Sequence, residues 1–516
     1  MSGGEAGLEG PDLAVGVEAE LVATGRMLLG HANGERVILT RQGDEYVAVG
    51  ATCTHYGGPL AEGVMDGDTV RCPWHHACFS LRTGEALRAP ALSPLPCWKV
   101  EFDNGRVRVT EKIERDPLAA TYPMPAREEA NRSTPNRVVI VGAGAAGSAA
   151  AEMLRRCGFE GRVTIIDSDS DAPYDRPNLS KDYLAGTAPE EWIPLRPEGF
   201  HKSHGIEIVR ANASRLDVAA HRLELEGKEA LEYDVLLLAT GAEPVRLKLP
   251  GADLPHVHYL RSLADSRAVI RASEGARRAV VIGASFIGLE VAASLRNRGL
   301  EVHVAAPEAI PLQRVMGEQI GRAIQELHEK HGVNFHLGHQ AVSIDDHGVT
   351  LDDGTQLPGD LVVIGVGVRP RLSLAEDAGL ELDHGVLVDE RLATSAPDVY
   401  AAGDIARWPD PRGGDRIRVE HWVVAQRMGQ TAARNMLGAN ETFDAVPFFW
   451  SAHYDVSVNY VGHAQRWDHL DVQGSARDND VAVRFDLGGR RDALATIFRD
   501  TESLETEIAM ERESAS

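Results

Sequence analysis

Short segments of alternating apolar and polar residues, separated by turns, fill the first fifth of the chain. Glu35–Thr40 is one example, and another is Trp98–Phe102, which is followed by Asp103-Asn104-Gly105 and then Arg106–Val109. An Asn-Gly turn between two alternating segments predicts a β-hairpin. Because no helical period occurs here, we predict a small all-β domain over residues 1–112.

A different pattern begins at Arg137, after a charged and Pro-rich stretch that predicts a linker. Arg137–Val141 is an apolar run followed by glycines and an Ala-rich helical segment, and Ala279–Ile282 begins the same pattern again. Two such strand–turn–helix units predict two Rossmann-like α/β domains. After Phe443 the chain becomes β-like and aromatic, which predicts a further small α+β domain.

The length of 516 residues is compatible with several domains. We therefore predict a multidomain fold. Its parts are the all-β domain over 1–112, a linker over 113–136, a first dinucleotide domain over 137–250 and 369–440, a second over 251–368, and a C-terminal domain over 441–516.

The charge of the chain narrows the range of partners. The formal net charge is −24, which argues against nucleic acid or an anionic membrane, since both select basic surfaces. We find no secretory signal and no apolar run of about 18 residues. Five cysteines are too few for a disulfide scaffold of this length, so we expect a cytoplasmic protein.

Two short motifs in the all-β domain combine cysteine and histidine. Cys53-Thr54-His55 and Cys72-Pro73-Trp74-His75 form a C-x-H…C-x-x-H pattern, in which each loop offers one thiolate and one imidazole. Two Cys and two His are the ligands of a Rieske 2Fe–2S cluster. A Cys₂His₂ zinc site has the same ligand count, although zinc motifs usually group Cys with Cys. His76 is off this spacing and is not expected to be a ligand.

The first α/β unit carries a dinucleotide motif. Its β-run ends in Gly142-Ala143-Gly144-Ala145-Ala146-Gly147, a G-x-G-x-x-G sequence. Such glycines allow a tight turn and a close approach of backbone N–H groups to a pyrophosphate. Asp167 ends the next β-run, where a carboxylate meets the ribose hydroxyls.

The second unit departs from this motif. In Gly283-Ala284-Ser285-Phe286-Ile287-Gly288 the middle glycine is Ser285, which is still small enough for a close phosphate approach. The acid position after the next β-run holds Ala306, and Glu308 is the candidate substitute. Since no Arg there could meet a 2′-phosphate, we favour NADH and leave NADPH open.

Three further segments resemble those of oxygenase-linked ferredoxin reductases. They are Tyr174-Asp175-Arg176-Pro177-Asn178-Leu179-Ser180-Lys181, Ala239-Thr240-Gly241-Ala242-Glu243-Pro244, and Thr394 through Ala402-Gly403-Asp404. The order of a Rieske motif followed by these segments is similar to the apoptosis-inducing factor 3-like family. This resemblance implies an FAD-dependent NAD(P)H oxidoreductase of the ferredoxin reductase type that carries a 2Fe–2S cluster.

The resemblance also implies roles for individual residues. Lys181 and Glu290 are expected to form an ion pair beside the flavin and to act in catalysis. The cofactors are expected to contact Arg176, Lys181, Ala239, Thr240, Gly241, Gly403, Asp404, Glu420, Trp422 and Trp450.

The function implied is transfer of hydride from NAD(P)H to FAD, then of single electrons to the chain's own cluster and to an external acceptor such as an oxygenase. Cys157 is solitary and no C-x-x-C lies near the flavin motifs, so no disulfide relay is expected. An NADH oxidase, a quinone reductase and an NADH-switched redox sensor remain alternatives. A homodimer also remains open.

Overall fold

The computed structural model describes residues 8–113, 115–119, 122, 135–475 and 478–514. Most of the linker predicted over 113–136 lies outside these residues. Within the described part, an all-β domain precedes two α/β units and a C-terminal sheet packed on a helix. The predicted fold class is confirmed.

The N-terminal domain consists of a six-stranded antiparallel sheet and a four-stranded one. The predicted hairpin is present, with Asp103 paired to Arg106 and with positive φ at Asn104 and Gly105, as a tight hairpin turn requires. The strands are β1 (Val17–Glu18), β2 (Met27–Ala32), β3 (Glu35–Gln42), β4 (Glu45–Gly50), β5 (Val64–Asp66), β6 (Thr69–Arg71), β7 (Cys78–Ser80), β8 (Ala86–Arg88), β9 (Cys97–Asp103) and β10 (Arg106–Ile113).

The first α/β unit begins directly after the linker. Its elements are β11 (Arg137–Val141), α1 (Ala145–Arg156), β12 (Arg162–Asp167), α2 (Asp182–Ala185), α3 (Phe200–Ser203), β13 (Ile206–Arg210), β14 (Ala213–Asp217), β15 (Arg222–Leu225), β16 (Leu231–Glu232), β17 (Val235–Leu238) and β18 (Ala242–Pro244).

The second α/β unit repeats this plan. It contains β19 (Val257–Tyr259), α4 (Leu263–Gly275), β20 (Arg278–Ile282), α5 (Phe286–Asn297), β21 (Glu301–Ala306), α6 (Gln313–Lys330), β22 (Val333–Leu337), β23 (Ala341–Asp345), β24 (Gly348–Leu351), β25 (Gln356–Pro358), β26 (Leu361–Ile364) and β27 (Val368–Pro370). Its parallel sheet has the order β19-β26-β20-β21-β22.

The chain then returns to the first unit and ends in the C-terminal domain. The returning elements are α7 (Ser373–Asp377), β28 (Val386–Leu387), β29 (Val399–Ala401), β30 (Ala406–Pro409), β31 (Arg416–Ile417) and α8 (Trp422–Met436). The C-terminal elements are β32 (Phe448–His453), β33 (Val456–Gly462), β34 (His469–Ser475), β35 (Asp480–Leu487), β36 (Arg490–Ile497) and α9 (Asp500–Ser514).

Strand β29 completes the first parallel sheet, whose order is β13-β12-β11-β17-β29. Residues 138–141 of β11 are all buried because helices cover both faces of a parallel sheet. Helices α1 and α8 cross so closely that a Cβ on Gly429 would collide with the carbonyl oxygen of Ala146. This crossing packs α8 against the glycine turn between β11 and α1.

The N-terminal domain is docked on the α/β units through buried charges. Arg156 of α1 forms an ion pair with Glu85, and both side chains are less than 10% exposed. Glu507 of α9 is fully buried between Arg427 of α8 and the His76 ring. Removing one partner of a buried ion pair is strongly destabilising, because it leaves the other charge uncompensated. The docked arrangement is therefore part of the fold.

Among the described residues, no helix is both long and apolar enough to cross a bilayer.

We expect Glu507→Gln to lower the free energy of unfolding by about 3 kcal/mol at pH 7, because it leaves Arg427 buried without a counter-charge. Burial opposes ionisation of Glu507, but the charges of Arg427 and His76 outweigh it and lower the pKa of this carboxyl. A lowered pKa contributes stability that is lost as the pH falls below the ordinary value of 4.5. The difference in the free energy of unfolding between the variant and the wild type should therefore shrink in acid.

Urea unfolding at several pH values measures this difference. Glu505→Gln is the matched control, because Glu505 lies on the exposed face of the same helix. Equal stability of the two variants at pH 7 would contradict the prediction.

Candidate cofactor sites and the interface between them

The predicted cluster residues lie on two loops at one end of the N-terminal domain. Cys53 follows β4, and its N–H donates to the Gly58 carbonyl at 2.8 Å. Cys72 follows β6, and its N–H donates to the Ala77 carbonyl at 2.9 Å. Each loop is thus closed by a backbone bond across its own turn, so that its thiol and imidazole point the same way.

These loops bring all four predicted ligands together. The Cys53 and Cys72 thiols are hydrogen-bonded to each other, and this bond raises the pKa of Cys53 and lowers that of Cys72. The Nδ1 atoms of His55 and His75 are 3.3 Å apart. Burial lowers the pKa of His55 to about 3 and that of His75 well below its usual range, so both rings are neutral, the form that binds metal.

The two loops leave space beside the thiols for a small bound group. A Cβ on Gly58 would lie 2.6 Å from the Cys72 Sγ, so only glycine leaves the room beside that sulfur. Two buried thiols and two neutral, half-buried imidazoles that converge on one site fit a Rieske 2Fe–2S cluster. Pairing of one thiol with one imidazole on each loop favours this cluster over the zinc alternative.

The imidazole edge of this site faces the C-terminal domain. The ring of His75 lies 4.2 Å from that of Trp450 on β32, measured between centroids, and the His55 ring lies 6.0 Å from it. Tyr56 stacks on His55 and donates its hydroxyl to Asp175, in the predicted flavin segment. Trp450, predicted to contact a cofactor, therefore packs directly against the predicted cluster ligands.

The first glycine motif forms one wall of a cleft of about 770 Å³. Gly142 has a φ of +108°, and a Cβ there would collide with the carbonyl oxygen of Ala239. The cleft contains predicted residues from five separate sequence segments. They are Gly142, Gly144, Ala146, Asp167, Arg176, Ala239, Thr240, Gly241, Gly403 and Asp404. Gly147 lies just behind them, where a Cβ would collide with the carbonyl oxygen of Gly142.

Arg176 supplies a positive charge to this cleft. Its Nε is buried and, among the described residues, has no hydrogen-bond partner. Two of its guanidinium nitrogens lie within 3.8 Å of the place where a Cβ on Gly144 would stand. Burial lowers the pKa of Arg176, a cost that an anion would offset. A buried guanidinium with a free Nε beside a glycine turn at a helix N-terminus fits the pyrophosphate of FAD.

The two acidic residues predicted to bind the cofactor, Asp167 and Asp404, already have partners in the cleft. Asp167 accepts from Arg210 at 2.8 Å, and Asp404 accepts from Arg261 at 2.5 Å. Burial raises the pKa of Asp167, and the Arg210 charge opposes that rise. Sequence reasoning missed both arginines, because each lies outside any motif and is 43 or 143 residues away from its partner.

The predicted ion pair of Lys181 and Glu290 is present, with an Nζ–Oε2 distance of 2.9 Å. Glu290 is buried on α5, and its two oxygens also accept from Ser180 at 2.5 Å and from Ser451 at 2.6 Å. Lys181, Glu290 and Ser451 come from the first α/β unit, the second α/β unit and the C-terminal domain. This carboxylate therefore joins three parts of the fold beside Trp450, the neighbour of Ser451.

The second glycine motif shows why serine is tolerated in its middle. The Ser285 hydroxyl donates to the Gly365 carbonyl at 2.7 Å and caps α5 by accepting from the Gly288 N–H. Gly283 has a φ of +112°, and a Cβ there would stand 2.5 Å from the Gly365 oxygen. Ile287 is half-buried at the start of α5, and Glu308 is exposed. Their contact with a nicotinamide dinucleotide stays a prediction.

The remaining predicted flavin residues lie next to α8. Glu420 accepts from Arg418 at 2.7 Å, and Arg418 also donates to the backbone oxygen of Asp404. Trp422 is the first residue of α8 and is half-buried. All five cysteines are free and buried. The absence of a disulfide relay stays a prediction.

The fold and these two sites define a flavin-dependent pyridine-nucleotide oxidoreductase joined to an iron–sulfur domain. Residues 13–99 match the Rieske [2Fe-2S] domain, and residues 136–429 match the pyridine nucleotide-disulphide oxidoreductases. Human apoptosis-inducing factor 3 is 33% identical over 477 residues, which cover 90% of this chain and 78% of the human protein.

Bacterial reductases are similar to the later part of the chain. The ferredoxin–NAD(+) reductase component of the biphenyl dioxygenase system of Paraburkholderia xenovorans strain LB400 is 36% identical, over 68% of this chain and 86% of its own length. The crystal structure of the covalent putidaredoxin reductase–putidaredoxin complex superimposes with a TM-score of 0.71 at 31% identity, over 74% of this chain and 94% of the matched chain.

The chain therefore belongs to the apoptosis-inducing factor 3 family of the pyridine nucleotide-disulphide oxidoreductases. It is an FAD-dependent NAD(P)H oxidoreductase with a 2Fe–2S cluster, and it passes electrons from NAD(P)H to FAD and onward. The predicted family, activity and cofactors are confirmed.

We expect Gly58→Ala to lower the iron and sulfide bound per chain, because the added methyl group would press on the Cys72 sulfur and on the Trp74 indole. Overpacking of this kind costs about 1–3 kcal/mol. Iron and sulfide analysis with visible absorption measures the loss. Gly275→Ala is the control, since a Cβ there meets nothing within 4 Å. Full cluster content in Gly58→Ala would contradict the predicted fit.

Proposed function

We propose that this protein passes electrons from NADH through FAD to its own 2Fe–2S cluster across Trp450, and from the cluster to an external acceptor protein. When bound, FAD takes a hydride from the nicotinamide and releases its electrons singly, which suits a one-electron cluster. The protein itself binds and orients the cofactors, and it supplies the electrostatic field in which the electrons are transferred.

One observation supports the intramolecular route above all others. Trp450 packs on the His75 ring at 4.2 Å, while the next residue, Ser451, donates to Glu290. Strand β32 thus contacts the cluster ligands with one residue and the predicted flavin-side ion pair with the next. An indole in this position offers a short bridge between the two redox sites.

Lys181 and Glu290 have complementary roles in this proposal. The Lys181 ammonium favours the negative charge that develops on the flavin as it accepts hydride. Glu290, held by Ser180 and Ser451, fixes the position of that ammonium. The remaining predicted FAD contacts orient the cofactor in the cleft, with Arg176 on its pyrophosphate.

The external acceptor is proposed from the relatives. The names of two of them place them in the biphenyl and anthranilate dioxygenase systems, which supports an oxygenase or its ferredoxin as the partner. A panel of oxygen, quinones and ferredoxins distinguishes this partner from the oxidase, quinone reductase and sensor alternatives. NADH as the preferred donor, a cytoplasmic location and a homodimer stay predictions.

We expect Trp450→Leu to slow the reduction of the cluster by NADH at least about tenfold, an increase of ~1.4 kcal/mol in the barrier, because the aromatic bridge is lost. Anaerobic stopped-flow absorption measures flavin and cluster reduction separately. The flavin should still be reduced at the wild-type rate. Trp192→Leu is the control, since Trp192 is 66% exposed and does not line the cleft. Unchanged cluster reduction in Trp450→Leu would exclude the proposed route.

Lys181→Gln should slow reduction of the bound flavin by NADH at least about tenfold, because it removes the positive charge near the developing negative charge. The rate is measured per bound flavin under anaerobic conditions. Lys202→Gln, on the surface helix α3, removes a lysine away from the cleft and should change nothing. Equal rates in both variants would refute a catalytic role for Lys181.

A further inference from the structure

The C-terminal domain packs against the imidazole edge of the cluster site, where His55 and His75 are half-buried. His75 packs on Trp450, and Tyr56 covers His55 while its hydroxyl is bound to Asp175. The buried ion pair Glu85–Arg156 and the buried contact of His76 with Glu507 hold this arrangement. Undocking the domain would break all of these contacts together. This packing occupies part of the imidazole edge, so a partner protein has more room on another side of the cluster site.

Trp74 provides that other side. Its indole packs in the N-terminal core beside Cys72, and a Cβ on Gly58 would touch both the Cys72 Sγ, at 2.6 Å, and the indole Cδ2, at 3.2 Å. The same indole also lines an open groove on the surface, together with Pro73 and Phe498. One aromatic side chain thus connects a predicted cluster ligand with the protein surface.

The groove has an apolar wall and an acidic rim. Phe498 is 53% exposed and projects from a left-handed residue, with a φ of +52°, between β36 and α9. Four carboxylates and one guanidinium line the groove, those of Glu62, Asp480, Asp500, Glu502 and Arg499. Arg499 is already paired with Asp480 at 2.6 Å and Glu502 at 3.2 Å. The charge of Arg499 is therefore neutralised within the groove, and the residues that line the groove carry a net negative charge.

We propose that this surface, the Trp74 groove, is where an external one-electron acceptor protein docks and receives electrons from the cluster. The acidic rim selects a partner with a basic surface, and Phe498 offers an apolar contact at the centre. In each encounter one electron leaves the reduced cluster and reduces the oxidised metal centre of the partner, and no bond is made or broken. This inference rests on the proposed function, because the cluster must first receive electrons from the flavin.

Ferric cytochrome c, a basic one-electron acceptor protein, is a suitable probe. Two variants alter the groove: Phe498→Asn, chosen because asparagine tolerates a positive φ, and Glu62→Lys, which reverses one rim charge. Phe102→Asn is the matched control, because Phe102 is 59% exposed on β9 and does not line the groove. A cluster-free Cys53→Ser protein gives the rate of direct reduction by the flavin, which is subtracted.

We expect both groove variants to reduce cytochrome c about tenfold more slowly than the wild type at low salt, and added salt to slow the wild type. Reduction of the cluster by NADH without an acceptor should stay within about twofold of the wild type in every variant with a cluster. Groove variants that reduce cytochrome c as fast as Phe102→Asn would overturn the proposal. Failure of NADH to reduce the wild-type cluster would instead refute the proposed function.

Discussion

The contact between His75 and Trp450 is the interaction on which the proposed electron route depends. Electron transfer between two cofactors requires that their sites approach closely and in a fixed orientation. Here the imidazole edge of the cluster site packs on an indole at 4.2 Å, and the strand that carries this indole also binds Glu290. A ferredoxin reductase that is a separate protein must meet its electron-accepting partner by diffusion. Here the proposed acceptor, the cluster domain, is part of the same chain.

The domain interface explains how this contact persists. A packed aromatic pair alone would not hold two domains together. The interface adds the buried contacts Glu85–Arg156 and His76–Glu507, each of which joins the N-terminal domain to another part of the chain. Such pairs contribute specificity more reliably than stability, since an undocked or misregistered arrangement leaves a charge without its partner. They therefore favour one orientation of the cluster site over the many that a linker would allow.

Much of this organisation could be predicted from local patterns. Cys53, His55, Cys72 and His75 were recognisable because both cluster loops are contiguous motifs, and the glycines at Gly142 and Gly283 mark turns that other residues cannot adopt. The resemblance to the family extended this reasoning to Lys181 and Glu290.

The long-range partners could not be predicted in this way. Arg261, which binds Asp404, and Glu507, which binds His76, are single charged residues whose partners lie far away in the sequence. Surface carboxylates and arginines of this kind are abundant, and only the tertiary fold selects the few that become buried. The packing of Trp450 on the imidazole edge likewise could not be predicted, because it depends on how two domains dock.

Exchange of electrons within one chain is most directly tested by mixing two disabled proteins. A Cys72→Ser chain would carry FAD without a cluster, and an Arg176→Glu chain, depleted of flavin, would carry a cluster without FAD. We predict that NADH reduces the wild-type cluster with a rate constant independent of protein concentration, and that the mixture reduces its cluster far more slowly. Equally fast reduction in the mixture, rising with concentration, would show that the electrons travel between molecules.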